Sequence, residues 1–309
     1  MVKNKKIVVL GGFGFLGQHV ITELVKNKYE YLILSRRNGH DVLDFQKFAS
    51  TLKELQPTTI INCAAHVGSV HYAIKYAADL IRDNMLIINN IYEAVKLVSP
   101  KTKIINPISN CSYPGEANIH FEPDWQKGHV HDSVLSYAST RRMIYAYAQC
   151  YNRQYQIKSV NWLIANAYGP GDYCDPNKVH ALNGIILRLI NAKRKNEKNF
   201  EIWGTGQPVR EWTYIHDVAK ILVKSISLTE QIYPINFAQN KAYSIKEIAQ
   251  MAAKKLNYKA KFIFNTKYPD GAMTKILDDH KFKSIYPQWK FTPLIQGIKN
   301  TVNYYQETL

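Results

Sequence analysis

Ile7-Val8-Val9-Leu10 is a run of four apolar residues, three of them β-branched, that stops at Gly11-Gly12. Such a run predicts a strand buried on both faces. An amphipathic stretch from Phe15 to about Val25 follows and predicts a helix. The alternation then recurs. Tyr31–Leu34, Thr59–Cys63, Lys103–Ile105 and Ile157–Ile164 read as strands, with Phe45–Leu55, about Tyr72–Leu97 and Leu135–Tyr151 as helices between them. Five strands alternating with helices within about 165 residues predict a Rossmann-type, doubly wound parallel sheet with right-handed crossovers. Ligands of such sheets bind outside the carboxyl ends of the strands.

Beyond Pro170 the pattern changes. Helices are expected at about Leu182–Arg194, from Trp212–Ile215 to about Leu228, from the capping box Ser244-Ile245-Lys246-Glu247 to about Leu256, and from about Leu294. Between them fall short strands at Phe200–Trp203, Pro234–Phe237 and near Phe262, and turns at Gly204-Thr205-Gly206 and Tyr268-Pro269-Asp270-Gly271. The expected fold class is therefore α/β, with a small α/β lobe interleaved with the main sheet. Residues 1–165 plus about 213–237 make the dinucleotide-binding domain, and about 166–212 plus 238–309 the second lobe.

Gly11, Gly14 and Gly17 punctuate the first strand-to-helix corner. In that place the first glycine permits a tight turn, the second lets backbone approach a pyrophosphate, and the third lets helix pack on strand. The N–H groups of the first turn, at Phe15, Leu16 and Gly17, are a ready phosphate site. At the end of the second strand stand Arg36 and Arg37, where an acidic residue would bind a ribose 2′-hydroxyl. Two cations suit a 2′-phosphate, so the cofactor call is NAD(P)(H) with a lean to NADP; solvated arginines at a strand end are the alternative. The small Ala64 and Ala65 end the third strand and let a ligand lie against backbone, with Asn84 on the helix that follows.

Composition narrows the class. With 309 residues and 46% hydrophobic content the chain can bury a large core. It has no apolar run long enough for a spanning helix, and its four-residue apolar run near the start is too short for a signal-peptide core. Cys63, Cys111, Cys150 and Cys174 show neither C-x-x-C pairing nor zinc spacing, so reduced thiols in a cytoplasm and no metal are expected. Forty Lys and Arg against 24 Asp and Glu give a net charge of +16. The cations are scattered, with one denser cluster at 192–199, and no basic and aromatic strip lies on one element. A dianionic small molecule is thus favoured over nucleic acid or membrane as the partner.

Tyr137-Ala-Ser-Thr-Arg141 puts a phenol and a cation one helical turn apart. A fixed cation there is expected to favour the phenolate, and such a tyrosine can exchange a proton with a sugar oxygen while nicotinamide exchanges hydride. Ser109, at the end of the fourth strand, can orient the same oxygen.

These motifs bring a resemblance with them. AAHVGSVHY (64–72), SNCSYP (109–114), SYASTRR (136–142), CYNRQY (150–155), NAYGPGD (166–172), WGTGQPVREWTYIHDVA (203–219) and YPDGAMTKILD (268–278) are similar to segments of the extended short-chain dehydrogenase/reductases. Within them the chain resembles the GDP-4-keto-6-deoxymannose epimerase/reductases of the GDP-L-fucose synthase type. The resemblance implies hydride exchange at C4 of a GDP-linked sugar for surface glycans. It implies Ser109 and Tyr137 as catalytic serine and tyrosine, Cys111 and His180 as base and acid for C3/C5 epimerisation, and Arg210 and Lys275 as diphosphate ligands. Trp203 and Asn166 fall at the substrate, and the helices near 84–97 and 137–153 at a homodimer interface. Bland readings stand beside these: Cys111 as a small buried hydrophobe, His180 as a surface histidine, Arg210 paired with Glu211. Two departures matter. Arg141 stands where the family has lysine, and Ser69-Val70-His71-Tyr72 is bulkier than the family's small residues. C4 oxidoreduction of a GDP-hexose or GDP-heptose without epimerisation, or a dinucleotide-binding sensor, are the alternatives.

Overall fold

The computed structural model describes residues 3–268, 270 and 272–309. Pro269 and Gly271 of the expected 268–271 turn, and Met1 and Val2 of the amino-terminal segment, lie outside the described residues. In chain order the elements are β1 (Lys3–Leu10), α1 (Phe15–Lys26), β2 (Tyr29–Leu34), α2 (Phe45–Leu55), β3 (Thr59–Asn62), α3 (Val70–Lys75), α4 (Ala77–Val98), β4 (Lys103–Ser109), β5 (Ile119–His120), α5 (Leu135–Tyr155), β6 (Ser159–Ile164) and β7 (Asn166–Tyr168). They continue with α6 (Ala181–Arg194), β8 (Asn199–Trp203), β9 (Val209–Tyr214), α7 (Ile215–Lys224), β10 (Gln231–Phe237), β11 (Ala242–Ser244), α8 (Ile245–Lys255), β12 (Lys261–Asn265), β13 (Thr274–Leu277), α9 (His280–Ile285) and α10 (Leu294–Thr308).

Side chains of β1 alternate between two cores. Val8 and Leu10 pack with α2, α4 and α5, whereas Ile7 and Val9 pack with α1 and α7. Ile60 and Ile61 of β3, and Ile104 and Ile105 of β4, divide in the same way. Period-two alternation with apolar residues on both sides is what a doubly covered sheet demands. The strands run parallel in the order β10-β6-β4-β3-β1-β2, so the expected Rossmann-type sheet is the observed one. The order reverses at β1 and β3, which puts the ligand crevice at their carboxyl ends.

A polar row crosses this sheet. Asn62 Nδ2 donates to Asn106 Oδ1 (3.2 Å), Asn106 Nδ2 to Asn161 Oδ1 (3.0 Å) and to the Tyr92 hydroxyl (3.2 Å), and Asn161 Nδ2 to the Ile232 carbonyl (2.7 Å). Each amide is buried and answered by its neighbour, so the row fixes the relative register of four strands. It also explains why β4 runs beyond the Lys103–Ile105 core read from the sequence to Ser109: Asn106 breaks the apolar pattern without breaking the strand. The single helix expected over Tyr72–Leu97 is interrupted at Tyr76 into α3 and α4.

The second lobe is built on the strand order β11-β9-β13-β5, with β7 also pairing β9. Its core gathers α6, α8 and α10 against Phe200, Ile202, Trp212 and Tyr214. From the carboxyl-terminal region, Phe282 packs on the α1/α7 side of the main sheet, with Trp289 and Phe291 against it. Glu211 on β9 pins the two parts together. It is fully buried, its Oε1 accepts from Gln239 N (2.7 Å) and its Oε2 from Leu277 N (3.1 Å). Burial, opposed by those backbone donors, pushes its carboxyl up to about 7.

A carboxyl that binds its proton more tightly in the folded than in the unfolded chain contributes stability that is complete below its ordinary value of 4.5 and lost as pH rises to about 7. The thermal-stability advantage of the wild type over Glu211→Gln should therefore be largest near pH 4.5. It should shrink by at most about 3 kcal/mol by pH 7, read by calorimetry; a pH-independent difference would contradict this.

Candidate active site

The β1–α1 corner is shaped by absent side chains. Gly11 has φ +68°, and a Cβ there would stand 2.9 Å from the Cys63 carbonyl oxygen. A Cβ on Gly17 would stand 2.3 Å from the Gly11 carbonyl oxygen and 2.6 Å from Gly12 Cα, so helix and turn touch through backbone. Gly14 is the N-cap residue, and no side chain caps the first turn of α1. The corner therefore presents backbone N–H groups at the positive end of a twelve-residue helix, which fits a dinucleotide pyrophosphate. Across the crevice, Ala64 and Ala65 follow β3 and are half-buried. Arg36 and Arg37 lie in the short turn after β2; both are exposed and neither has an ion pair within 4 Å among the described residues.

Ser109 ends β4 and caps the turn that carries Cys111, its Oγ accepting from Cys111 N (3.4 Å). That turn is anchored from behind. Ser112 Oγ donates to the Ser109 carbonyl (2.6 Å), Trp125 Nε1 to Ser112 Oγ (2.8 Å), and Arg142 Nε to the Ser112 carbonyl (2.7 Å). Arg142 thus ties the serine turn to α5, the helix that carries the tyrosine.

On α5, the Arg141 guanidinium lies over the Tyr137 ring, 4.8 Å from its centroid. Arg141 is 3% exposed and its Nη2 donates to Asn84 Oδ1 (2.8 Å), while Nε is buried without a partner. Asn84 Oδ1 also accepts from His66 N (3.1 Å), and its Nδ2 donates to the carbonyls of His66 and Leu80 (2.8 Å each). Both ends of this amide are engaged and the residue is fully buried. Asn84, expected at the cofactor, spends its amide on the turn after β3, on its own helix and on the guanidinium. The phenol also differs from expectation. Burial raises it above its ordinary value, Arg141 opposing and Cys111 adding, so the net shift favours the neutral phenol over the phenolate expected from the sequence.

Burial likewise pushes the Cys111 thiol up, opposed by the Ser109 hydroxyl and the charges of Lys275 and Arg141. Cys111 is half-buried and feels the charges of Arg141 on α5 and Lys275 of the second lobe.

His180 precedes α6, with its ring centroid 5.2 Å from that of Phe15 in the first turn of α1. Its Nδ1 bonds Asp172 Oδ1 (2.9 Å), and its backbone N–H donates to Asp172 Oδ2 (2.9 Å). Asn183 Nδ2 donates to the same Oδ2 (2.8 Å). Burial opposes ionisation of Asp172, yet the His180 ring, its charge, Asn183 and the His180 N–H together hold the carboxyl below its ordinary value. The loop is also clamped by α1: Gln18 Nε2 donates to the Gly171 carbonyl and His19 Nε2 bonds the Pro170 carbonyl, both at 2.8 Å.

In the second lobe, register aligns the charges. Lys275 of β13 pairs Arg210 of β9, and Leu277 pairs His120 of β5. Partners across a parallel ladder share a face, as do residues two apart, so Arg210, Lys275, Leu277 and His120 all lie on one side. Arg210 does not pair with Glu211; its Nη1 donates to the carbonyls of Val209 (2.9 Å) and Met273 (3.3 Å). Burial lowers the Lys275 ammonium, with Cys111 opposing and Arg210 adding. Neither cation has a carboxylate within 4 Å among the described residues. Trp203 is 45% exposed and stacks on Tyr268 (centroids 5.0 Å apart), with the Arg188 guanidinium 4.4 Å from its ring centre. Asn166 is spent locally, its Nδ2 donating to the Glu211 carbonyl (2.9 Å).

Three residues here gave no signal in the sequence. Asp172 lies eight residues before His180, a spacing no periodicity marks. Arg188 lies inside α6 with no motif around it. His120 sits on a two-residue strand, 1% exposed and stacked on Tyr113 (4.3 Å, 11°), and neither ring nitrogen makes a well-formed hydrogen bond among the described residues. Burial, then the Lys275 charge, lowers its imidazolium to about 4.

A doubly wound sheet with a phosphate corner, a half-buried phenol against a buried guanidinium, and a pair of cations in register on the second sheet defines a dinucleotide-dependent enzyme of an anionic substrate. The chain belongs to the NAD dependent epimerase/dehydratase family, which it matches over residues 7–237. It is 28% identical over 308 residues to the GDP-L-fucose synthase of Dictyostelium discoideum, covering 98% of this chain and 95% of that one. It is 27% identical over 305 residues to the GDP-L-colitose synthase of Yersinia pseudotuberculosis, covering 97% of each. A GDP-L-fucose synthetase from Naegleria fowleri, solved bound to NADP, superposes with a TM-score of 0.91 at 25% identity, covering 100% of this chain and 94% of that one. An NAD(P)-dependent sugar-nucleotide epimerase/reductase is the activity these likenesses carry.

Proposed function

We propose that this chain is an NADP(H)-dependent oxidoreductase that exchanges hydride at C4 of a GDP-linked sugar and epimerises beside the ketone, in surface-glycan sugar-nucleotide biosynthesis. The observation that carries it is the half-buried Tyr137 ring against the buried Arg141 guanidinium, coupled electrostatically through Cys111 to Lys275, which pairs Arg210 on the second sheet. The names of the relatives above support a GDP-sugar as substrate.

Bound nicotinamide supplies or accepts the hydride. In the reducing direction Tyr137 gives its proton to the C4 oxygen. Its raised affinity for that proton keeps it loaded at neutral pH, and Arg141 stabilises the phenolate left behind. Ser109 holds the same oxygen by a hydrogen bond. As thiolate, Cys111 takes the proton from the carbon next to the ketone; burial disfavours that form, and the Ser109 hydroxyl and the charges of Lys275 and Arg141 oppose burial, while His180 returns a proton from the other side. Arg210 and Lys275 clasp the diphosphate, and Trp203 with Arg188 and Tyr268 flanks the nucleotide. Gly11, Gly14, Phe15, Leu16 and Gly17 take the cofactor pyrophosphate, Ala64 and Ala65 its backbone-facing side, and Arg36 and Arg37 a 2′-phosphate.

Outward-facing residues of α4 and α5, including Leu86 (42% exposed) and Met143 (36% exposed), leave an apolar strip suited to a second copy. We assign a homodimer through this four-helix face. Its four free cysteines fit a reducing cytoplasm, and no described helix is long and apolar enough to cross a membrane.

Tyr137→Phe should lower NADPH-dependent reduction of GDP-4-keto-6-deoxymannose by about 1000-fold, with NADP⁺ affinity kept and higher than NAD⁺ affinity. Turnover within tenfold of wild type would overturn the reading. If the wild type reduces this ketone without solvent deuterium entering C3 or C5, C4 oxidoreduction alone is its reaction. Sedimentation should give twice the chain mass of 35.6 kDa, reduced to one by Leu86→Arg; a monomeric wild type would contradict the dimer.

A further inference from the structure

Asp172 is a carboxylate with its side chain wholly inside the protein and no lysine or arginine within 4 Å among the described residues. Burying a charge in that way is costly unless something polar answers it, and an uncompensated one is normally avoided. Here its partners are the His180 ring, the His180 N–H and the Asn183 amide, at 2.9, 2.9 and 2.8 Å. All three approach from one segment, so the carboxylate is built around the imidazole. Its backbone is fixed too: the Tyr305 hydroxyl donates to the Asp172 carbonyl (3.3 Å), and α1 holds Pro170 and Gly171.

The consequence is a defined tautomer. A carboxylate can only accept, so Nδ1 carries the hydrogen. Nε2 is then the basic nitrogen, and it forms no hydrogen bond among the described residues. The His180 side chain is 35% exposed, while Asp172 has no exposed side-chain area, so the ring is open only on the side away from the carboxylate. The ring also packs against Phe15, in the first turn of α1 beside the glycine corner.

We propose that Asp172 is a positioning residue for proton transfer at His180, forming a buried carboxylate–imidazole dyad that holds Nδ1–H inward and presents Nε2 to the substrate. The proposal rests on the reading of His180 as the acid of epimerisation. When Nε2 gives its proton to the sugar carbon, the imidazolium becomes neutral imidazole and Asp172 keeps its charge. When Nε2 regains a proton from water, the carboxylate stabilises the cation. No proton moves onto Asp172, which sets orientation and charge.

The test pairs a structural with a kinetic readout. In the wild type, ¹⁵N NMR of imidazole nitrogens, with His180→Asn for assignment, should show His180 protonated at Nδ1 in its neutral form. Asp172→Asn should abolish that preference and lower solvent-deuterium incorporation into GDP-4-keto-6-deoxymannose at least about 100-fold. The loss should fall on kcat, with KM within threefold and NADP⁺ affinity unchanged, and Asp172→Glu should recover part of it. A wild-type His180 protonated at Nε2, or an Asp172→Asn enzyme exchanging within threefold of wild type, would overturn the proposal. A Nδ1-protonated His180 in a protein that turns over no 4-keto GDP-sugar would uphold the dyad and remove the functional reading above it.

Discussion

A guanidinium buried against a phenol is the constraint around which this molecule is arranged. Taking Arg141 out of water costs several kcal/mol. Its bond to Asn84 returns about 1.5–3 kcal/mol and its seat over Tyr137 up to about 2 kcal/mol. An unpartnered Nε takes back about 1–3 kcal/mol of that. The balance is near zero or unfavourable, so stability does not explain the group. Its effect on Tyr137 does: the guanidinium against the ring limits how far burial can raise the phenol. Asn84 is the hinge of the arrangement, since the amide that fixes Arg141 also closes the turn after β3.

The second lobe acts on this pair by register. β13 lies between β9 and β5, so Arg210, Lys275 and His120 come to one face although they are far apart in sequence. Glu211, next to Arg210, points elsewhere and locks β9 to the backbone at Gln239 and Leu277. Neighbouring residues of one strand thus turn to opposite faces, Arg210 toward Lys275 and Glu211 toward the backbone that joins the two parts of the chain.

Much of this was legible before any coordinates. The two-sided apolar runs made the parallel sheet, and the glycines at 11, 14 and 17 marked the corner, because backbone contact leaves a compositional trace. Tyr137 and Arg141 were legible as a pair because helical spacing makes them neighbours. What the sequence withheld was the balance of forces on them: burial outweighs the cation, and no local pattern reports burial depth. Asp172, His120 and Arg188 were hidden for a related reason. Their importance comes from contacts made across loops and between strands with no periodic relation. Asn84 was legible as a polar residue on the helix after β3, and only its four hydrogen bonds reveal that it ties that turn to Arg141.

Isotope transfer tests the central claim most directly: that the phenol at Tyr137 and the cation pair on β9 and β13 hold one sugar carbon against the nicotinamide. With NADPH deuterated at the transferring position of nicotinamide C4 and a GDP-4-keto sugar, the account predicts product carrying that deuterium at sugar C4 and nowhere else. Deuterium retained on the cofactor, or delivered to another carbon, would contradict it.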